Sequence, residues 1–246
     1  SAGQMQGVAR QVSIKGGVPY EVPAYSINMV CGSGMKAVMN GYAGIISGAA
    51  DVVIAGGTES MTNAGFILQS SLRSGVKMGD LKVIDHMVYD GLTDHMGITA
   101  ENIAERLGIS REEQDVFAYA SQQKAIKAVD SGAFVNEIVP VKIESKNGTV
   151  IFDKDEFPNR ASTPEKLAAL KPAFKKDGTV TAGNSSGIND GASFVMIMSE
   201  DAVAKYGMTP LCELIAVGQG GVDPREMGLG PIPAIRKALK NASMKF

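Results

Sequence analysis

The sequence has no tryptophan, two histidines and two cysteines in 246 residues. Cys31 and Cys212 lie far apart and no Cys-x-x-Cys pair occurs, which excludes a disulfide scaffold and a structural zinc site. No metal is expected. Such sparing cysteine use makes a reducing cytoplasm the default compartment. An excess of basic charge is also lacking. Lys plus Arg is 24 against 26 for Asp plus Glu, a net charge of −2, and a nucleic-acid binder would show a basic surface. No uncharged apolar run reaches about 18 residues, the length a membrane span needs. The best stretch, Tyr42 to Gly57, is broken by Asp51. No basic segment leads into an apolar one as in a signal peptide. What is present is 44% hydrophobic residues, 29 Gly and 13 Met. That composition supports a core and argues against disorder. Folding a chain of this length buries about 70% of the unfolded surface, enough for one large or two small domains.

Val22–Val30 has strand composition, and the small-residue turn Cys31-Gly32-Ser33-Gly34 follows it. Met35–Ala49 is apolar at helical spacing (Val38, Tyr42, Ile45, Ile46), and Asp51–Ala55 reads as a short buried strand. Strand, helix and strand of this length predict a βαβ unit in a parallel sheet. From Met61 to Ser185 charge rises and apolar runs shorten. Thr99–Leu107 and Arg111–Asp130 read as helices, the second opened by Ser110 and Glu113 at capping-box spacing. Asn147-Gly148 predicts a hairpin between Ile138–Ile143 and Thr149–Phe152, and Thr163-Pro164 opens a short helix. Lys82–Asp90 reads as a charged helical stretch, which puts His86 on a solvated face. Lys171–Gly191 is a long Gly/Ser/Asn-rich segment, the kind that is usually functional. Beyond it come a strand at Ala192–Met198, a helix at Glu200–Tyr206, a strand at Leu211–Val217 and an amphipathic helix at Ile232–Asn241. Cys212, inside that second strand, reads as a core residue. The whole is an α/β core interrupted by an excursion.

Cys31 is the informative residue. It stands where the strand ends and the helix begins. Unpaired N–H groups and the helix dipole favour negative charge at that place, which stabilises a thiolate. The same amides suit a developing oxyanion. Gly32 and Gly34 permit the sharp turn, and the arrangement parallels a nucleophile elbow with sulfur in place of oxygen. A buried structural cysteine is the competing reading.

At this motif the sequence resembles the thiolase family, the acetyl-CoA acetyltransferases. The likeness continues through Gly56-Gly57-Thr58-Glu59-Ser60-Met61, His95-Met96-Gly97 with Thr99-Ala100-Glu101-Asn102, Ser110–Asp115, Thr179–Gly191 and Gly221–Pro231. It runs in family order over essentially the whole chain. The resemblance implies a layered αβαβα fold with an inserted loop domain. Residues 1–60 would be part of the N-terminal core half carrying the nucleophile, and 61–188 the inserted CoA-binding loop domain. Residues 189–209 would return to the N-terminal half, and 210–246 would start the C-terminal half.

By motif match Cys31 is the acyl-carrying nucleophile. His95, Met96, Leu167, Ala173, Phe174, Ala182, Ser186 and Ile188 are coenzyme A contacts, and Met96 and Met227 shorten the acyl pocket toward acetyl and acetoacetyl groups. Read without the resemblance, His95 is as well explained as a local cap, and Met96 and Phe174 as ordinary core. The implied reaction is the reversible Claisen condensation of two acetyl-CoA to acetoacetyl-CoA and CoA. Coenzyme A is substrate and product, with no permanently bound cofactor, and the implied assembly is a homodimer or homotetramer. The family's NEAF asparagine, GHP histidine and CxG cysteine, and its opening strand and helix, are not among these residues. The 246 residues alone are therefore expected to be inactive or nearly so. Two departures stand out: Asp94 runs directly into His95 where the family has extra residues, and Arg160 lies one position later than the family's arginine, which leaves a phosphate contact there open. A ketoacyl synthase or broader 3-ketoacyl-CoA thiolase, and a non-catalytic CoA- or lipid-binding scaffold, are the rival readings.

Overall fold

The computed structural model describes residues 4, 6–69, 75, 78, 82–85, 87 and 95–246. His86 and the Asp94 side of the Asp94–His95 join lie outside the described residues. The chain divides into two units. One comprises Ser1–Tyr89, Ile188–Gly221 and Leu229–Phe246, and the other Asp90–Gly187 and Val222–Gly228.

In the first unit, helix α1 (Val8–Lys15) and a 3₁₀ turn at Val30–Gly32 precede helix α2 (Ser33–Ile46). Strand β1 (Val52–Ser60) pairs antiparallel with β6 (Asp190–Met198), with Ile54 opposite Met196 and Gly56 opposite Phe194. Alternation along a strand turns Val53 and Ile197 to the opposite face. There they lie close to Gly41 of α2, where a Cβ would come within 2.9 Å of Ile197 and 3.1 Å of Val53. A side chain at position 41 would therefore push the helix off the sheet. Gly56 is equally constrained, because its Cβ would stand 2.2 Å from the Ser193 carbonyl oxygen. Helix α6 (Glu200–Tyr206) is capped by Ser199, whose Oγ accepts from the Ala202 N–H (3.2 Å). It ends at Gly207, in the left-handed conformation that glycine tolerates. Helix α7 (Pro231–Asn241) closes the chain, and Asn241 Nδ2 donates to the Val217 carbonyl (2.8 Å). Strands β2 (Phe66–Gln69) and β3 (Lys82–Asp85) form an antiparallel pair.

In the second unit, α4 (Arg111–Asp130) spans the residues the sequence predicts, and α3 (Met96–Leu107) ends where expected but begins at Met96 instead of Thr99. The Ser110 capping box forms in both directions: Ser110 Oγ accepts from Glu113 N–H (3.2 Å) and Glu113 Oε2 accepts from Ser110 N–H (2.8 Å). Those bonds hold the Glu113 carboxyl below its ordinary pKa. Strands β4 (Val141–Ser145) and β5 (Gly148–Phe152) make the expected hairpin, with the loop one residue earlier than Asn147-Gly148. Gly148 pairs with Ser145 and takes the positive φ of 111° that glycine accepts freely. Helix α5 (Pro164–Ala168) starts on Thr163, whose Oγ1 accepts from Lys166 N–H (3.3 Å). Buried apolar residues of this unit are Ala104, Leu167 and Val180.

Four expectations need correction. Val22–Val30 and Leu211–Val217 are not strands, because neither finds a ladder partner among the described residues and a strand exists only through its pairing. The sheet pairings among the described residues are antiparallel, since β1 takes β6 as its neighbour instead of the Val22–Val30 segment. Cys212 is exposed and not core, its segment pairing with no strand among the described residues. Lys82–Asp85 is a strand instead of the start of a helix, held by pairing to Phe66–Gln69. None of the described helices is long and apolar enough to cross a membrane.

Candidate active site

Cys31 is exposed. It occupies the middle of the 3₁₀ turn that leads into α2, and the residue before it, Val30, has φ 48°. A β-branched residue in the left-handed region is strained and persists only where its surroundings impose it. Two neighbours do so. Asn28 Oδ1 accepts from Val30 N–H (3.0 Å). Ser33 Oγ accepts from Met29 N–H (2.8 Å) and donates to the Val30 carbonyl (2.7 Å). The amides expected to be free ahead of the helix are partly used: Gly32 N–H donates to the Met29 carbonyl (3.0 Å) and Ser33 N–H to the Val30 carbonyl. The Cys31 amide is left without an acceptor among the described residues. Cys31 thus stands at the positive end of α2, on a turn pinned from both sides.

The glycine-rich end of β1 comes to the same place. A Cβ on Gly57 would lie 3.7 Å from Gly34 Cα, so the two glycine motifs meet backbone to backbone. The segment after Leu211 also reaches α2, through Tyr42 Oη donating to the Ile215 carbonyl (3.2 Å) and Lys36 Nζ donating to Gln219 Oε1 (3.1 Å). Ile188 belongs to this unit and is exposed.

The other residues assigned to coenzyme A fall in the second unit. His95 is the N-cap of α3, its Nδ1 accepting from Gly97 N–H (3.0 Å), so the capping role is real. Its ring also stacks on Phe174, with centroids 4.7 Å apart and planes at 25°. Phe174 is half-buried against Gly97, and neighbouring Ala173 is exposed with its N–H donating to the Val180 carbonyl (2.9 Å). Met96, the first residue of α3, is partly open to solvent. Leu167 is buried and packs on Gly183, whose Cβ would meet it at 2.6 Å. Ala182 and Ser186 are exposed. Met227 lies in a 3₁₀ segment (Pro224–Leu229) tied to α3 by Asn102 Nδ2 donating to the Arg225 carbonyl (3.0 Å) and by an ion pair of Arg106 with Glu226. Arg160 forms a two-point ion pair with Asp130 (2.6 and 3.0 Å), and each raises the preference of the other for the charged state.

Single-residue reading of the sequence missed the side chains that hold this unit together. Glu101, Arg111, Asp115, Thr181 and Asn184 are buried or half-buried polar residues; Thr181 bonds locally, while Glu101, Arg111, Asp115 and Asn184 also bond across sequence separations that no local pattern reveals. Their motifs were visible in Thr99–Asn102, Ser110–Asp115 and Thr179–Gly191, and the signal was the presence of Glu101 and Asp115 at helix positions that the periodicity turns inward.

A family model for the thiolase N-terminal domain matches residues 1–201. A protein named probable acetyl-CoA acyltransferase from Staphylococcus aureus (strain COL) is 51% identical over 251 residues, covering 100% of this chain and 64% of its own. An acetyl-CoA acetyltransferase of Syntrophomonas wolfei is 53% identical over 251 residues, covering 99% and 63%. Among solved structures, the acetyl-CoA acetyltransferase from Syntrophomonas wolfei superposes with TM-score 0.95 at 45% identity over 100% of this chain and 62% of that one. Human mitochondrial 3-ketoacyl-CoA thiolase in complex with CoA superposes with TM-score 0.90 at 43% identity, over 97% and 60%. The chain therefore spans less than two thirds of the length of these relatives.

Proposed function

Because the chain belongs to the thiolase family, we propose that the whole protein is an acetyl-CoA C-acetyltransferase that joins two acetyl-CoA into acetoacetyl-CoA and CoA. One observation carries the reading: Cys31 is exposed on a strained, side-chain-pinned turn at the positive end of α2. A cysteine that only filled space would need neither the strain nor the exposure.

The chemistry follows from that place. The Cys31 thiolate attacks the carbonyl of one acetyl-CoA, an S–C bond forms, and the CoA thiolate leaves and takes a proton. The Cys31 amide, with no acceptor among the described residues, is a donor suited to the oxyanion that develops. A base then removes the α-proton of a second acetyl-CoA. The resulting carbanion attacks the acyl-cysteine, the C–C bond forms and the C–S bond to Cys31 breaks, which regenerates the thiolate. The acid and base groups of that step are assigned to family elements beyond Phe246. His95, Met96, Leu167, Ala173, Phe174, Ala182, Ser186 and Ile188 are assigned to coenzyme A, residues 61–188 to the inserted domain that binds it, and Met96 and Met227 to restriction of acyl length. Coenzyme A comes and goes as substrate and product. A cytoplasmic homo-oligomer fits the same reading.

Incubating the whole protein with acetyl-CoA and mapping the acetyl group by mass spectrometry tests it. Acetylation is expected on Cys31 and is lost, with turnover, in Cys31→Ala. Unmodified Cys31 in active protein would sink the assignment. Thiolysis of acetoacetyl-CoA beside longer 3-ketoacyl-CoA separates the short-chain from the broad-chain reading, and a ketoacyl synthase would cleave neither.

A further inference from the structure

Ala182 and Ser186 sit on a segment, 179–186, that has no helix or strand to hold it. Buried side chains fix it instead. Glu101 of α3 is 3% exposed. Its carboxylate accepts hydrogen bonds from Thr179 N–H (2.9 and 3.0 Å), Val180 N–H (2.7 Å) and Thr179 Oγ1 (3.0 Å). The approach is so close that a Cβ on Gly178 would lie 2.3 Å from Glu101 Oε1. A second anchor completes the hold. Asn184 Oδ1 accepts from Thr181 N–H (2.7 Å), and its Nδ2 donates to Asp115 Oδ1 (3.0 Å) and the Thr179 carbonyl (3.1 Å). Asp115 is in turn paired with Arg111 (2.8 Å), whose guanidinium also donates to the Leu167 (2.6 Å) and Leu170 (3.0 Å) carbonyls.

We propose that Glu101 is a positioning residue that sets affinity for the coenzyme A portion of the substrate, by presetting the backbone of 179–186, without taking part at the reacting atoms. The proposal rests on the reading above that this segment contacts coenzyme A. A segment that becomes ordered only on binding loses affinity to the entropy of ordering, whereas a preset one does not. Handle binding of this kind stabilises ground state and transition state alike, so it moves KM and leaves kcat. An ionised carboxylate only accepts, while the amide of glutamine brings an NH₂ group toward backbone donors it cannot satisfy. Glu101→Gln therefore releases the segment.

In the whole protein, Glu101→Gln is expected to raise KM for CoA in acetoacetyl-CoA thiolysis on the order of tenfold, with kcat little changed. Acetyl transfer to Cys31 from S-acetyl-N-acetylcysteamine, which lacks the nucleotide, should be as fast as in the wild type. Thr179→Val removes the hydroxyl's bonds to Glu101 and to Gln114 Nε2 (2.9 Å) but leaves the backbone bonds to Glu101 in place, and should give a smaller rise in KM; it decides the matter if the first variant does not fold. A fall in kcat at unchanged KM, or equal slowing with both acetyl donors, would show a role in folding alone and overturn the proposal. Amide exchange tests the clamp apart from catalysis. Faster exchange at Thr179 and Val180 in Glu101→Gln, restored by saturating CoA, supports it, and unaltered exchange overturns it. Failure of acetyl-CoA to acetylate wild-type Cys31 would instead refute the preceding reading, a result separable from the exchange measurement.

Discussion

Gly97→Ala is the sharpest single test of how the second unit is packed. A Cβ at that position would lie 2.2 to 2.5 Å from three ring atoms of Phe174, more than 1 Å inside ordinary contact distance. The phenyl ring must withdraw or α3 must shift, and either motion opens the stack on His95. Overpacking of this kind costs about 1–3 kcal/mol, and loss of the aromatic pair adds about 0.5–1.5 kcal/mol. Replacing a helical glycine by alanine returns about 1 kcal/mol. The net expectation is a loss of about 0.5–3.5 kcal/mol, or about one to several degrees in Tm at about 2–4 °C per kcal/mol for 150–250 residues. Gly44→Ala in α2 supplies the control, because its Cβ would meet nothing within 4 Å; that variant should be neutral or slightly stabilised. Differential scanning calorimetry on both variants of the whole protein, with CoA titrated calorimetrically, checks the argument. A Gly97→Ala protein that melts at or above the wild type and binds CoA equally well would refute it.

Two further perturbations follow from polar contacts. Asp223 has its pKa lowered from 3.8 to about 2, first by the Arg225 guanidinium and then by the Arg225 N–H. A pKa below the unfolded value means that this contribution to stability is complete above about 3.8 and is lost as pH falls toward about 2. Carboxyl NMR should find Asp223 titrating near the low value, and Arg225→Ala should move it only part of the way back, since the backbone bond survives. Ser110→Ala removes the cap of α4 and should cost about 1 kcal/mol, read as a lower denaturation midpoint with no change in CoA affinity; an unchanged midpoint would mean that the capping box contributes nothing.

The parts of the fold that were legible in the sequence are those decided by neighbours in the chain. Ser110 with Glu113, Thr163 with Pro164, and Gly207 each fix a helix end through residues a few positions away, and those ends fall where expected. The glycine of Asn147-Gly148 marks its hairpin for the same reason. Strands are different. Val22–Val30 and Leu211–Val217 have the composition of strands, but pairing depends on distant segments, so composition alone misassigns them. Lys82–Asp85 fails in reverse, since its partner Phe66–Gln69 turns a charged stretch into a strand. At the site, Cys31 was visible because its chemistry is local to one turn. Glu101 and Asn184 were not, because their meaning lies in partners 78 and 69 residues away.

The His95 cap has a chemical corollary. Its Nδ1 is occupied by the Gly97 N–H, so a neutral imidazole carries its proton on Nε2. While helix α3 keeps its first turn, that ring offers other molecules a donor and never a vacant lone pair. His95 is thereby suited to grip a carbonyl or phosphoryl oxygen and is barred from withdrawing a proton, whatever passes beside it.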